Sequence, residues 1–290
     1  MEQINNKATE EKQSQNFIDI DAVFRKKGGK LYPLIPKFLI SYIKRITHQD
    51  EINAAIYRSH DKWGLDFVNS LIEDEFCVDV NLEHPENIPA KGRYIVASNH
   101  PLGGLDGIAL MYATGKKRKD IKFIVNDILF ELQNLKELFI PINKHGRNTY
   151  ESVRLIEEIF ESDQLVLIFP AGLVSRRQNH RIRDLAWKKS FINKAIKHKR
   201  DVIPVHIQGK NSNFFYNLAN IRKKLGVKLN IEMLYLPDEM FKQGEKNINI
   251  TFGKPIPYTM FTKEKTHYEW AQMVKEHVYG LKENKPQFFV

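Results

Sequence analysis

The stretch that decides the fold runs from Leu165 to Ile207 and reads LVLIFPAGLVSRRQNHRIRDLAWKKSFINKAIKHKRDVIPVHI. It opens and closes with short apolar runs that favour β-strands, Leu165–Phe169 and Val202–Ile207. The segment Arg181–Lys199 between them is predicted to be helical. Two strands separated by a helix favour a crossover unit in which the strands run parallel.

The same alternation continues along the rest of the chain. Further β-rich runs are found at Tyr94–Ala97, Ile121–Val125, Leu138–Ile142, Ile231–Leu236 and Ile248–Phe252. Further helical patterns occur at Asn148–Ser162, Asn211–Leu225 and Lys263–Leu281. We therefore predict an α/β fold with a mostly parallel mixed sheet of about seven strands, flanked by helices.

The N-terminal part of the chain has a different pattern. Residues 1–16 are polar and are expected to be disordered. Residues 17–76 are predicted to form a helical extension, which includes a helix over Asp61–Asp74. We expect the α/β domain to occupy residues 77–262 and a C-terminal helix and tail to occupy residues 263–290.

Another helix of this extension, Pro36–Thr47, carries a narrow basic stripe on an otherwise apolar surface. The polar positions of the stripe are Lys37, Ser41, Lys44 and Arg45. Two arrangements fit this pattern. Either the helix packs against the main domain, or it lies in a lipid interface with its lysines at the head groups.

Composition indicates a globular protein of a reducing compartment. Hydrophobic residues make up 42% of the 290 residues, and the single cysteine, Cys77, cannot support a disulfide framework. The polar N-terminus lacks the apolar core of a signal peptide. A membrane span needs about 20 mostly apolar residues, and the best candidate, Leu31–Ile46, is interrupted by prolines and lysines. We therefore expect a cytoplasmic protein without a membrane span.

Positive charge is concentrated in one block. The chain has a formal net charge of +10, and Arg176–Arg200 holds ten Lys and Arg residues against one acid, Asp184. Such a block indicates an anionic partner, either phosphate head groups, an acidic carrier protein or nucleic acid, or it forms a solvated helix face. Nucleic acid is disfavoured because only Trp187 and Phe191 interrupt the basic residues and no nucleic-acid-binding motif is present.

The first candidate for chemistry is the segment Tyr94–Gly107, YIVASNHPLGGLDG. Here a β-run ends and leads into Asn99 and His100, whose imidazole can accept a proton at neutral pH. A carboxylate at Asp106 would fix the tautomer of that ring. A regular helix would put the two residues on opposite sides, so a loop permitted by the Gly-Gly pair must bring them together. The alternative is a tight turn with a capping Asp.

Two further segments follow strands. In Leu165–Arg177, the backbone around Ala171-Gly172 is a candidate nest for an oxyanion, and Ser175, Arg176 and Arg177 are candidates for binding an anionic group. The alternative is an ordinary strand-to-loop turn with surface arginines. In Leu135–Val153, Lys144 and Arg147 are candidate basic groups beside an acceptor, although the spacing is also that of a generic loop.

Four blocks in order resemble the lysophospholipid (glycerolipid) acyltransferase superfamily over residues 77–262. They are Asn99-His100 followed by Asp106, then FPAG at Phe169–Gly172, VIPVHIQG at Val202–Gly209 and ITFGKPI at Ile250–Ile256. The form NHPLGGLDG with FPAG is similar to a bacterial branch often labelled hemolysin-like. That branch includes enzymes that acylate the hydroxyl of lyso-aminolipids such as ornithine or glycine lipids.

The resemblance implies roles for individual residues. His100 corresponds to the catalytic base and Asp106 to the carboxylate that orients it. Phe169, Pro170 and Gly172 correspond to the acceptor-binding block, and Lys188 and Lys189 fall where the superfamily often has basic residues. Further candidates for substrate binding, from their own positions in the sequence, are Asn99, Lys144, Arg147, Ala171, Ser175, Arg176 and Arg177.

The sequence departs from the superfamily pattern in two places, one in the dyad and one in the acceptor block. Five residues separate His100 from Asp106, where the superfamily has four, and the Gly-Gly pair can absorb the extra residue. The acidic residue usual in the acceptor block is Ala171 here, so discrimination in favour of a glycerol phosphate acceptor is expected to be lost.

The expected reaction is direct acyl transfer from a thioester of acyl carrier protein or coenzyme A to the hydroxyl of a lyso-lipid. A thiolate is a good leaving group because thiol pKa values lie near 8.5, so neither a cofactor, a metal nor a covalent nucleophile is expected. The favoured acceptor is a lyso-aminolipid. The alternatives are 1-acylglycerol-3-phosphate and a non-catalytic lipid-binding relative. The protein is expected on the inner face of the cytoplasmic membrane, bound peripherally.

Overall fold

The computed structural model describes residues 18–126, 132–142, 150–282 and 289. The predicted disorder of residues 1–16 lies outside this range. The described strands are β1 (Asp79–Glu83), β2 (Tyr94–Ser98), β3 (Ile121–Asn126), β4 (Phe139–Ile142), β5 (Leu165–Ile168), β6 (Arg176–Gln178), β7 (Arg181–Arg183), β8 (Asp201–Ile207) and β9 (Asn247–Phe252). The described α-helices are α1 (Ile20–Gly28), α2 (Lys37–Ile46), α3 (Gln49–Arg58), α4 (Gly64–Ser70), α5 (Gly104–Gly115), α6 (Tyr150–Glu161), α7 (Ser190–His198), α8 (Asn213–Lys224), α9 (Leu236–Phe241) and α10 (His267–Leu281).

Seven of the strands form one mixed sheet in the order β1-β9-β8-β2-β5-β3-β4. All neighbouring strands are parallel except β8 and β9, which pair antiparallel. The predicted α/β class and mostly parallel mixed sheet are therefore confirmed. Strands β6 and β7 form a separate antiparallel hairpin.

Apolar side chains on the two faces of the sheet form two cores. One face packs against α4 and α5 through residues such as Val96, Leu105 and Val205. The other packs against α7 and α10 through residues such as Ala97 and Trp187. Because the central strands are covered on both faces, their sequences are apolar runs without polar alternation.

Two sequence expectations about elements were wrong, and one strand was missed. The run Ile231–Leu236 forms a 3₁₀ turn that leads into α9, and the seventh strand is β1. A Pro at the second position of α9 suits a helix start, which outweighs the β-like composition before it. The predicted helix Arg181–Lys199 begins only at Ser190, because its first residues pair in the β6–β7 hairpin.

Helix α2 of the N-terminal extension has two different faces. Ile40, Ile43 and Ile46 are buried against the rest of the protein, whereas Phe38 is 76% exposed and its neighbours Leu34, Leu39 and Tyr42 are also exposed. The helix therefore packs by one face and keeps a second apolar face in solvent. Among the described residues, no helix is both long and apolar enough to cross a bilayer.

Candidate active site

The side chains of His100 and Asp106 meet at the carboxyl end of β2. His100 Nδ1 lies 2.9 Å from Asp106 Oδ1, and the Asp106 side chain is fully buried. The imidazole is the more exposed partner, with 17% of its surface accessible. The predicted pairing of these residues is confirmed, and it leaves Nε2 as the ring nitrogen available to a substrate.

The loop between them is shaped by Gly103. This residue has φ +90° and ψ −123°, a conformation that L side chains rarely adopt, and it is the N-cap of α5. Asp106 is then in the first turn of α5, where its Oδ2 accepts hydrogen bonds from the N–H groups of Leu102, at 2.7 Å, and Gly103, at 3.3 Å. The positive end of the helix and these donors stabilise the carboxylate that faces His100.

Asn99 supports the site from within the sheet. It is buried, and its amide donates to the carbonyl of Ile207 at 2.9 Å and accepts from the N–H of Ile207 at 2.7 Å. These bonds join the ends of β2 and β8, which fixes the point at which His100 leaves the sheet. Its role in the structure is scaffolding, although it was predicted to contact substrate.

A second buried carboxylate, Asp184, holds the backbone of His100. Its Oδ1 accepts from the His100 N–H at 3.2 Å and from Ser175 Oγ at 2.6 Å, and its Oδ2 accepts from Trp187 Nε1 at 2.9 Å. The N–H of Ser175 donates in turn to the His100 carbonyl at 2.7 Å. Burial raises the pKa of the Asp184 carboxyl, and the bonds from Ser175 and Trp187 oppose that shift.

Asp184 was missed as a site residue, although it is the one acid in the basic block. Ser175 was predicted to bind substrate, but its hydroxyl is buried and engaged by Asp184. Both residues act on His100 through its backbone.

The FPAG block lies beside the dyad. The ring of Phe169 stacks on the His100 imidazole, with centroids 4.0 Å apart and planes 13° apart, and it rests edge-on against Phe123. Pro170 and Ala171 are buried, and Ala171 packs in the core shared with Trp187. A side chain at position 171 is thus directed into the core, so the alanine does not explain acceptor choice in the way expected.

The expected oxyanion nest at Ala171-Gly172 is only partly available. Gly172, with φ +67°, closes a turn in which its N–H donates to the Phe169 carbonyl at 3.0 Å. Because that donor is used within the protein, the Gly172 N–H is not available to an oxyanion, and the nest of backbone N–H groups around Ala171-Gly172 stays a prediction without it.

The cation beside this turn belongs to Lys188. A Cβ placed on Gly172 would lie 3.1 Å from Lys188 Nζ, and the Lys188 N–H donates to the Pro170 carbonyl at 3.0 Å. The side chain is exposed, and it has no hydrogen bond or ion pair with any residue that the structure describes. Lys189 is exposed at the start of α7.

The two arginines of the block are engaged by the protein itself. Arg176 is buried and pairs with the buried carboxylate of Glu232 at 2.9 Å. Arg177 bonds the side-chain oxygens of Asn213 and Asn217 at 2.5 and 3.0 Å. The predicted anion clamp is therefore wrong for Arg176, whose guanidinium is buried and already paired with a carboxylate. Lys144 and Arg147 lie outside the described residues.

A small cavity of about 80 Å³ adjoins the site and is lined by Asn99, Pro101, Ser175, His206 and Tyr279 among others. His206 is buried, and burial lowers its pKa to about 4, with a smaller effect from the charge of Lys282. The ring is neutral at pH 7. No sequence pattern pointed to His206, because its position in a strand is that of an ordinary core residue.

Comparison with known proteins decides the family. A family model described as "Acyltransferase" matches residues 22–286. The chain belongs to this acyltransferase family. The resemblance found in the sequence blocks is confirmed, and the chain is an acyltransferase enzyme.

Two curated relatives are similar over most of this acyltransferase. The lyso-glycine lipid O-acyltransferase of Bacteroides thetaiotaomicron is 51% identical over 266 residues, which are 91% of this chain and 97% of that protein. The lyso-glycine lipid O-acyltransferase of Phocaeicola vulgatus is 48% identical, over 91% of this chain and 95% of that protein.

A solved structure is also similar to the acyltransferase. The crystal structure of the 1-acyl-sn-glycerophosphate acyltransferase from Thermotoga maritima is 16% identical, covers 94% of this chain and 99% of its own, and has a TM-score of 0.48.

Across the part of the chain that the structure describes, no group of three or more His, Cys, Asp or Glu side chains is arranged to hold a metal ion.

Proposed function

We propose that this acyltransferase moves a fatty acyl group from a thioester to the hydroxyl of a lyso-lipid, and that a lyso-glycine lipid is its preferred acceptor. The observation that carries the reaction is the 2.9 Å hydrogen bond between His100 and a buried Asp106 at a strand end. The names of the two relatives, each about half identical to this chain, support the acceptor.

In the proposed mechanism, His100 Nε2 removes the proton of the acceptor hydroxyl while that oxygen attacks the thioester carbonyl. Asp106 keeps the proton on Nδ1 and stabilises the imidazolium that forms. The tetrahedral intermediate then collapses by breaking the carbon–sulfur bond. The thiolate leaves and takes up the proton from Nε2, which restores the neutral imidazole.

The head group of the acceptor would meet Lys188. A glycine lipid ends in a carboxylate, and Lys188 is the exposed cation that lies against the FPAG turn next to Phe169. This assignment replaces Arg176, because that guanidinium is buried and already paired with Glu232.

The donor would be acyl carrier protein or coenzyme A, both of which are anionic. Part of the basic block is unavailable to it, because Arg200 is buried and Lys194 and Lys197 pair with Glu157. The exposed Lys189, next to Lys188, remains available for the donor.

We also propose that the protein binds the inner face of the cytoplasmic membrane peripherally. The exposed apolar face of α2, with Phe38 and Tyr42, lies beside the basic residues Lys37 and Arg45 on the same helix. Such a helix suits the interface of an anionic bilayer. Vesicle binding should fall as salt rises, and binding that resists both salt and carbonate would contradict a peripheral contact.

A competition assay tests the acceptor. Purified protein receives one acyl donor together with equal amounts of detergent-dispersed lyso-glycine lipid and lysophosphatidic acid, and the products are separated by mass. We expect acylated glycine lipid to predominate. A preference for lysophosphatidic acid would favour the 1-acylglycerol-3-phosphate alternative, and no transfer to either would favour a non-catalytic lipid-binding protein.

The same question can be asked in cells. Deleting the gene should cause a lyso-glycine lipid to accumulate, and a plasmid copy that encodes His100→Ala should fail to remove it. A lipid profile unchanged by the deletion would contradict the proposed acceptor.

A further inference from the structure

A second apolar surface lies on α8 and the loop that follows it. Leu225 and Leu229 are 73% and 72% exposed, which is unusual for side chains whose burial would be favourable. We call this the α8 surface, and its exposed apolar members are Phe214, Ile221, Leu225, Val227, Leu229 and Leu234.

The exposure follows from the helical spacing. Phe215, Tyr216 and Ala219 form the buried face of α8, and Phe214 and Ile221 lie on the opposite face. Gly226 ends the helix with φ +69°, and a Cβ placed on it would meet nothing within 4 Å. The residue after such a glycine usually contacts an apolar side chain in the last turn of the helix, but the position that would supply it is Arg222, whose carbonyl accepts from the Val227 N–H at 3.1 Å. Here Leu225 and Val227 both stay exposed.

The loop is held rigidly in this arrangement. Arg222 donates to the Val227 carbonyl at 2.7 Å and pairs with the buried carboxylate of Glu232 at 2.8 Å. Glu232 is also the partner of Arg176. A buried carboxylate between two arginines thus fixes both ends of the loop, so the leucines project from a defined structure.

Charge on the α8 surface has one sign. From Asn213 to Ile231 the chain has no acidic residue, and Lys223, Lys224 and Lys228 are exposed among the apolar side chains. Arg222 shares the Glu232 carboxylate with Arg176, so the two arginines keep one net positive charge, which adds to that of the three exposed lysines. Alternating cations and large apolar side chains suit an anionic bilayer surface, where the lysines reach phosphates and the apolar groups enter the boundary with the acyl chains.

The α8 surface is continuous with α2 and reaches the loop of the dyad. Tyr42 of α2 and Tyr235 share a hydrogen bond of 2.7 Å between their hydroxyl oxygens, and the ring of Tyr235 packs edge-on against Phe214 at 5.0 Å. The next residue, Leu236, lies against Gly103, since a Cβ placed there would be 3.1 Å from its side chain.

We propose that the α8 surface is a second bilayer contact, which works together with α2 to hold the membrane against the loop that carries His100 and Asp106. This proposal rests on the proposed function, because a lipid acceptor is what such a contact would deliver. An acidic carrier protein or a second copy of this chain is a weaker fit. An acidic carrier offers no apolar interior for side chains as exposed as Leu225 and Leu229, and a second copy would bring the lysines of two α8 surfaces together.

Vesicle flotation of the full chain tests the proposal. The vesicles contain phosphatidylcholine alone or phosphatidylcholine with phosphatidylglycerol. We expect Leu225→Ser/Leu229→Ser to lower partitioning onto anionic vesicles about tenfold, because two exposed leucines lose their place in the interface. The matched control is Leu155→Ser/Met260→Ser, which removes two exposed apolar side chains outside the α8 surface and should bind like the unaltered chain. Circular dichroism checks that each variant is folded.

A second variant tests the charge. Lys224→Gln/Lys228→Gln should bind anionic vesicles more weakly and with less dependence on salt, and should be unchanged on phosphatidylcholine. The proposal is overturned if both α8 variants bind like the control. It is also overturned if the leucine variant instead loses self-association in sedimentation velocity or loses capture of acyl carrier protein while vesicle binding persists.

The two proposals can fail separately. Transfer by the unaltered chain to a detergent-dispersed acceptor tests the proposed function without any vesicle. Activity there together with unchanged vesicle binding of the leucine variant would reject the α8 surface alone.

Discussion

The carboxylate of Asp184 accepts a hydrogen bond from the backbone N–H of His100 at 3.2 Å, across 84 residues of sequence. Two acidic residues therefore position His100, the candidate general base. Asp106 contacts its ring, and Asp184, together with Ser175, fixes its backbone. In the proposed mechanism, general-base catalysis depends on where Nε2 meets the acceptor hydroxyl, so we expect both contacts to affect turnover.

Asp184→Asn should lower kcat without a matching change in KM. An amide offers one acceptor oxygen where the carboxylate serves three donors, so the backbone of His100 or the side chain of Trp187 loses a partner. Because small displacements of a catalytic group are costly, we expect kcat to fall about 10–100-fold with KM within about threefold. Steady-state kinetics and urea unfolding are measured together. A variant that is less stable but keeps its kcat would show that Asp184 only supports the fold.

His100→Ala should abolish acyl transfer and leave the fold intact. Loss of a general base typically costs about 10²–10⁴-fold in rate. The ring is partly exposed and packs on Phe169, so removing it should cost little stability. Near-wild-type turnover in a purified, folded variant would remove the central role assigned to this residue.

Gly103→Ala should destabilise the protein and reduce activity, whereas Gly104→Ala should do neither. Position 103 has φ +90°, and its new methyl group would press on Leu236, so we expect a cost of about 1–3 kcal/mol in the free energy of unfolding. Position 104 starts α5, and there a methyl group meets only the flexible side chain of Met240 at 3.3 Å. Urea titrations of both variants compare them directly. Equal stabilities would contradict the role given to Gly103.

Lys188→Gln should raise KM for an acceptor with a free carboxylate by about fivefold, which corresponds to the loss of one solvent-accessible ionic contact. The control is Lys199→Gln, which removes the same charge from the other end of α7. An acceptor whose carboxylate is amidated should respond less to the change at Lys188. Identical effects of both variants would indicate long-range attraction instead of a contact.

Acid should destabilise the protein through His206. Its pKa is lowered to about 4 in the folded protein, mainly by burial, against about 6.5 in an unfolded chain. Below pH 6.5 the His206 side chain becomes protonated in the unfolded state but stays neutral in the folded state. The free energy of unfolding is therefore highest above pH 6.5 and decreases as the pH falls towards 4. At pH 5 the loss is about 2 kcal/mol. Urea unfolding at pH 7 and pH 5 should show this loss of stability in the unaltered protein. In His206→Asn the difference in the free energy of unfolding between the two pH values should be smaller by that amount.

Much of the fold was predictable because its signals are local. Strands β2, β4, β5 and β8 each appear as a short, mostly apolar run, because a sheet covered on both faces favours apolar side chains on both sides of a strand. Strands β3 and β9 carry polar residues between their apolar ones, but their β-branched and aromatic residues still indicated strands. The exposed edge strand β1, with its alternating polar residues, was missed. The pairing of His100 with Asp106 was predicted as well, on the resemblance of the sequence blocks, because the spacing and the glycines alone also allow a tight turn with a capping Asp.

What the sequence alone determined is therefore the position of most strands and helices, which depends on neighbours within a few residues, and the family and the His–Asp pair, which follow from four short blocks taken in order. The tertiary structure decided which charges remain free. Arg176 and Lys188 look alike in the basic block, but Arg176 is buried and pairs with Glu232, 56 residues away, while Lys188 meets no described partner. The roles of Asp184 and His206 were likewise decided by the tertiary structure. Burial and distant hydrogen bonds determine the energy of a polar group, and both exist only after the chain has folded.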